Sequence, residues 1–206
     1  YTGFMNGQTS SVLSGSPVMT SLADQFSAVG PYAITADSGT LSAQNYRFRM
    51  VDGVLTVGKA VITVTAENKS RTYGDANPVF TAIYSGFVNG EAKDAVVTGL
   101  PVLSTTATPA SNAGTYSITA AQGSLAATNY TFTMVAGTLT VGKATVLVTT
   151  RDTSRTYGVA NPAFTATYNG FVNGQTYATS GITGSPSYST PAVPSSDIGV
   201  YPVTPI

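Results

Sequence analysis

The 206-residue chain contains no cysteine, no histidine and no tryptophan. Absence of cysteine excludes disulfides and thiolate chemistry and removes most zinc sites. Without histidine as well, the usual Ser-His-Asp and Cys-His nucleophile arrangements are excluded. Charge is scarce: 9% of residues are charged, nine basic against nine acidic. So few cations cannot build a basic face, which argues against nucleic acid as a partner and against an anionic membrane surface. No run of about 18 apolar residues marks a membrane span. Only two glutamates are present, Glu67 and Glu91, whereas glycoside hydrolysis needs two positioned carboxylates. Acidic residues nowhere cluster with EF-hand or β-roll spacing. The expectation is therefore a protein that is not an enzyme and holds no metal and no cofactor. The chain opens at Tyr1 without a methionine, so any secretory signal is expected upstream.

What the sequence does have is a period. Arg71-Thr72-Tyr73-Gly74-Asp75-Ala76-Asn77-Pro78 returns as Arg155-Thr156-Tyr157-Gly158-Val159-Ala160-Asn161-Pro162, and 84 residues separate Tyr73 from Tyr157. Tyr84 and Gly86-Phe87-Val88-Asn89-Gly90 return as Tyr168 and Gly170-Phe171-Val172-Asn173-Gly174. A fixed period of this length marks tandem modules. Hydrophobic residues make up 42% of the chain, in keeping with a folded β-rich protein and not a disordered one.

Within the period running from Ala60 to Lys143, alternation of apolar and polar residues predicts strands. They fall over Val61–Ala66, Val79–Tyr84, Pro101–Ala107, Tyr116–Ala120, Tyr130–Met134 and Gly137–Val141. Glu67 to Pro78 reads as a polar turn region punctuated by Tyr73-Gly74 and Asn77-Pro78. Glu91 to Thr98 has Ala92, Ala95 and Val96 at helical spacing and Gly99 just past the end, which predicts a short helix. Its counterparts Gln8–Leu13 and Gln175–Gly181 are less helical in composition.

Gly142-Lys143-Ala144 passes directly into the next apolar run, Thr145–Thr149, so the linker is not a flexible tether. Residues 1–59 form a partial repeat without opening strands; Tyr32–Ala36, Asn45–Met50 and Gly53–Ala60 repeat later strands. Residues 60–143 form a complete repeat. Residues 144–206 form a partial repeat without closing strands. Both ends fall out of phase, which leads us to expect a segment of a longer repeat protein.

Tyr73-Gly74, Asn77-Pro78, Tyr84, Phe87-Val88-Asn89-Gly90-Glu91, Gly114-Thr115-Tyr116, Asn129-Tyr130 and Gly137-Thr138-Leu139-Thr140-Val141-Gly142-Lys143-Ala144 together resemble the MBG-type repeat, YGX subtype, of large bacterial surface proteins. The resemblance covers the whole chain. It departs at Asp75, replaced by Val159, and at Glu91, replaced by Gln8 and Gln175. The resemblance implies a mainly β fold of tandem modules, β-grasp-like with one short helix against a sheet, with an immunoglobulin-like β-sandwich as the alternative. It also implies an exported, cell-surface, haemagglutinin-like or adhesin-like protein in which the modules form a stalk or adhesive repeat.

The candidate binding residues are Arg71, Tyr73, Arg155 and Tyr157. Each Arg-Tyr pair either faces a glycan or protein ligand or orders its long turn by stacking. The structural motif comprises Gly74, Asn77, Pro78, Phe87, Asn89, Gly90, Tyr116, Asn129, Tyr130 and Lys143. The aromatic residues Tyr73, Phe87, Tyr116, Tyr130 and Phe132 are either sugar platforms or core. Lys59 and Lys143 lie near Asn45 and Asn129 in a pattern that invites comparison with Lys–Asn isopeptide bonds, or else cap strand ends in solvent. Expected partners are neighbouring repeats, further copies of the chain, or a host or matrix glycan or protein. Three functions fit: a rigid spacer, a set of weak sites acting by avidity, and a self-associating filament favoured by low charge.

Overall fold

The computed structural model describes all 206 residues and is mainly β. Its first six strands are β1 (Val18–Ser21), β2 (Gly30–Asp37), β3 (Gly53–Val57), β4 (Ala60–Ala66), β5 (Lys69–Thr72) and β6 (Ala82–Ser85). The short helix α1 (Lys93–Val96) follows, then β7 (Val102–Ser104), β8 (Gly114–Ala121), β9 (Tyr130–Val135) and β10 (Gly137–Gly142). The last four strands are β11 (Leu147–Thr150), β12 (Ala166–Asn169), β13 (Tyr188–Ser189) and β14 (Thr204–Pro205). No helix is long and apolar enough to cross a membrane.

Compact packing is phased differently from the sequence period. One unit joins Tyr1–Thr65, Ala82–Val102 and Ala120–Val135; the other joins Ala66–Thr81, Leu103–Thr119 and Ala136–Ile206. The residues of the complete repeat are thus distributed over both units.

The first unit contains the antiparallel sheet β1-β2-β3 and the sheet β6-β4-β9. β4 and β9 pair in parallel, with Ile62 opposite Phe132 and Val64 opposite Met134. Successive strand side chains point to opposite faces, so the alternation in β4 sends Ile62 and Val64 inward, where both are fully buried. They form a core with Val97, Leu125 and Tyr130, flanked by Tyr84, Phe87, Phe132 and Met134. The predicted helix is present as the single turn α1, and its less helical counterparts are 3-10 turns at Ser10–Val12 and Tyr177–Thr179.

The second unit contains the sheet β5-β10-β8-β7 and the two-stranded pairs β11-β12 and β13-β14. β10 lies between a parallel neighbour, β5, and an antiparallel one, β8. Gly137, Leu139 and Val141 of β10 face inward and are buried, while Thr138 and Thr140 are exposed. Leu139 and Ile118 are fully buried. A Cβ on Gly137 would stand 2.4 Å from the Ala66 carbonyl oxygen, so only glycine allows the chain this close.

Three expectations need correction. Lys69–Thr72, read as part of a polar turn, is strand β5. Its inward position is taken by Arg71, so the apolar alternation that marks a strand is missing. Val79–Tyr84 is reduced to β6, which starts at Ala82. Asn45–Met50 keeps its alternating burial but forms no strand, because no strand pairs with it in the way that β4 pairs with β9. Burial pattern and ladder formation are separable: one needs only a packed face, the other a partner edge.

Candidate functional site

The sequence singled out the turn after β5, and the structure shows what its arginine does. Arg71 is 9% exposed, the one buried charged residue of the chain. Its Nε donates to Asn77 Oδ1 at 2.8 Å, its Nη1 to the Thr72 carbonyl at 3.1 Å and its Nη2 to the Thr108 carbonyl. Asn77 Nδ2 in turn donates to the Ala107 carbonyl at 2.7 Å. The rigid guanidinium fork holds three acceptors in fixed directions, and so ties the turn to the loop that precedes β8. Arg71 therefore orders the turn by hydrogen bonding and not by stacking on Tyr73. The second copy repeats the arrangement: Arg155 donates to Asn161 Oδ1 at 2.8 Å, to the Thr156 carbonyl at 3.3 Å and to the Val193 carbonyl. Asn161 donates to the Ala192 carbonyl at 2.8 Å.

The tyrosines of the two pairs differ. Tyr73 is half-buried, whereas Tyr157 is 62% exposed. Beside Tyr157 lies a groove of ≈ 650 Å³, lined by residues including Arg151, Arg155, Phe164, Tyr201 and Val203. It runs between residues 150–155 and 197–203, stretches that overlap the counterparts of β5 and β8. In the complete repeat β10 occupies the space between those strands. The groove thus corresponds in position to the space that β10 fills in the complete repeat.

A second recurring network surrounds Tyr130. This residue is 2% exposed; its hydroxyl accepts the Val88 amide at 3.2 Å and donates to Glu91. Donation to the Glu91 carboxylate is the main cause that pushes the Tyr130 hydroxyl above its ordinary pKa, with burial adding to it. Phe87 meets the Tyr130 ring edge-on, with centroids 6.1 Å apart. In the first repeat Tyr46 accepts the Met5 amide at 3.2 Å, donates to Gln8 and meets Phe4 edge-on at 5.7 Å. Gln8 does the work of Glu91, because the interaction needs an oxygen acceptor and not a charge. Tyr116 likewise has a local role, its hydroxyl donating to the Asn112 carbonyl at 2.9 Å. Tyr32 and Tyr201 make the same bond, to Ala28 and Asp197.

The Lys–Asn pairs are not brought together as a covalent site would need. Lys59 is exposed and its Nζ lies 3.3 Å from the Ala127 carbonyl, while Asn129 Oδ1 accepts the Val29 amide at 3.2 Å. Lys143 is exposed. Glu67 is held below the ordinary carboxylate pKa, first by the Thr81 hydroxyl that donates to it and then by Lys69. No three metal-ligating side chains converge.

The Asn-Gly dipeptides build identical turns. In Met5–Gln8, Val88–Glu91 and Val172–Gln175 the fourth amide donates to the first carbonyl at 3.0 Å. Both central residues have positive φ, 53 and 70° for Asn6-Gly7, 55 and 72° for Asn89-Gly90, and 55 and 69° for Asn173-Gly174. Two consecutive left-handed residues are the signature of a type I′ turn, for which Asn-Gly is the preferred pair.

The family model of the MBG domain (YGX type) matches residues 1–56, 62–140 and 146–206. The chain belongs to the MBG domain (YGX type) family. Its Tyr-Gly-X element is the turn at Tyr73-Gly74-Asp75 and again at Tyr157-Gly158-Val159. No curated protein and no solved structure matches the chain. Residues that sequence reading passed over are the loop carbonyls of Thr108 and Val193 that receive the arginines. A backbone acceptor leaves no signature in residue identity, so nothing in the sequence marked them.

Proposed function

We propose that this MBG repeat chain is a segment of an exported bacterial surface protein, in which the repeats act as a stiff stalk that carries an adhesive part away from the cell. The observation that carries this reading is that the repeated side chains are engaged within the fold. Arg71, Asn77, Tyr116 and Tyr130 each bond to their own repeat. A repeat whose defining residues hold its own turns together is built to be a spacer. The junction Gly142-Lys143-Ala144 adds no flexible tether between repeats. We read the chain as non-catalytic: the carboxylate that meets the buried tyrosine, Glu91, has its role filled by Gln8 in the first repeat.

Exposed Tyr157, beside Arg155, supports a second reading in which each repeat offers a weak glycan or protein contact and many copies act by avidity. Negative-stain imaging of an array of whole repeats separates the readings. Straight single particles with a regular spacing are the expected result. Flexible beads would overturn the stalk, and ordered bundles at high concentration would make the repeat surface itself the functional element.

A further inference from the structure

We propose that the Tyr-Gly turn is the receiving half of a joint between consecutive repeats, and that the Asn-Gly turn of the following repeat is the inserted half. This deepens the stalk reading, on which it rests, by naming the partner of the turn: another repeat of the same kind. Pro109, in the loop before β8, accepts at its carbonyl from the Gly74 amide at 3.2 Å and from Asn173 Nδ2 at 3.2 Å. The first bond lies within one repeat; the second comes from the next. In the other compact unit Asn89 Nδ2 donates to the Gln25 carbonyl at 3.2 Å. Gln25 precedes Pro109 by 84 residues, and Asn89 precedes Asn173 by 84. The same cross-repeat bond is therefore made twice, to residues with unlike side chains, because the acceptor is the backbone.

Gly74 supplies the rest of the joint. It has φ +97°, and a Cβ built on it would stand 2.7 Å from Val172 Cβ and Cγ2. The valine of the inserted turn thus fills the space that a side chain would take. The second copy shows the turn without an insert. Gly158 has φ +83° and nothing within 4 Å of a built Cβ, although its amide still donates to the Pro194 carbonyl at 3.1 Å. Tyr157 is 62% exposed where Tyr73 is half-buried. On the inserted side, Met5 is 68% exposed and Val88 46%, while Val172 is half-buried. The surface at Tyr157-Gly158 accordingly fits a small apolar tip carrying one amide donor, which a Val-Asn-Gly turn presents. Charge has no part in it, consistent with Asp75 being Val159 in the second copy.

The chain contains its own controls. Asn173→Gly removes the donor and keeps the left-handed backbone; Asn6→Gly makes the same change where no cross-repeat bond exists. Hydrogen exchange on the intact chain should show faster exchange by about two- to tenfold around Thr108–Ser111 and Val172–Gln175 for Asn173→Gly, the range expected for loss of one hydrogen bond. Asn6→Gly should leave those segments unchanged. Gly74→Ala and Gly158→Ala meet similar backbone strain, but only the first adds the clash, so only it should deprotect Val172–Gln175. Equal exchange in Asn173→Gly and Asn6→Gly, or an unaltered Val172 segment in Gly74→Ala, overturns the joint. Imaging then separates the two proposals. Straight arrays of repeats that carry the Asn173→Gly change would retire the joint and leave the stalk standing. Flexible arrays of unaltered repeats with protected joints would retire the stalk and leave the joint.

Discussion

Replacing Arg71 by methionine asks whether the arginine of the Tyr-Gly turn holds the fold or serves a ligand. Methionine preserves the apolar stem and deletes every donor. Three bonds are lost, to Asn77 Oδ1, the Thr72 carbonyl and the Thr108 carbonyl. Bonds from a charged donor contribute about 1.5–3 kcal/mol each, and an acceptor left dry costs about 1–3 kcal/mol. Thr72 and Thr108 are exposed, so water replaces the arginine there; Asn77 is half-buried and loses its partner. The deletion should therefore cost about 2–3 kcal/mol, the scale of one to two bonds and not three. Arg155→Met removes the same set in the same compact unit, at a more exposed position. Arg155 is half-buried where Arg71 is buried, so solvent already competes for its donors, and about 1 kcal/mol is expected. Arg71→Lys should recover little, because an ammonium cannot serve three acceptors held in a fork. Urea unfolding followed by far-ultraviolet circular dichroism reads all three variants, since the chain has no tryptophan. A cost for Arg71→Met below about 0.5 kcal/mol, or one for Arg155→Met that equals or exceeds it, would refute the reasoning and return the arginine to the role of a surface contact.

Two further outcomes test the core and the tyrosine network. Leu139→Ala should destabilise the second unit by about 2–5 kcal/mol, because a fully buried side chain between paired strands leaves a cavity the sheet cannot collapse; a midpoint close to that of the unaltered chain would show that β10 does not carry the core. Tyr130→Phe should lower the urea midpoint by leaving the Val88 amide without its acceptor, whereas Glu91→Gln should be nearly silent, as Gln8 is in the first repeat. Because the folded state raises the Tyr130 hydroxyl, its bond contributes fully below the ordinary tyrosine pKa of about 10 and is lost as pH rises through the raised value. Alkaline destabilisation should consequently be smaller in Tyr130→Phe, and an identical alkaline profile for the two proteins would remove Tyr130 from the network.

The sequence by itself determined the period, the β class and most strands whose apolar residues alternate. β4, β8, β9 and β10 were all legible, because a half-buried strand must write its burial into every second residue. The Asn-Gly turns were legible for a similar reason: two left-handed residues in succession restrict the side chains that fit. Only the tertiary structure decided that Lys69–Thr72 is a strand, since its inward residue is a buried arginine satisfied by a distant carbonyl. It also decided that Asn45–Met50 is not a strand, for want of a partner edge. The roles of Thr108, Pro109 and Gln25 belong to the same class. They act through backbone oxygens, which every residue has, so no reading of side chains could set them apart. The tertiary fold also decided what surrounds Gly74: its amide meets Pro109 and a Cβ on it would meet Val172, and neither neighbour is near it in sequence.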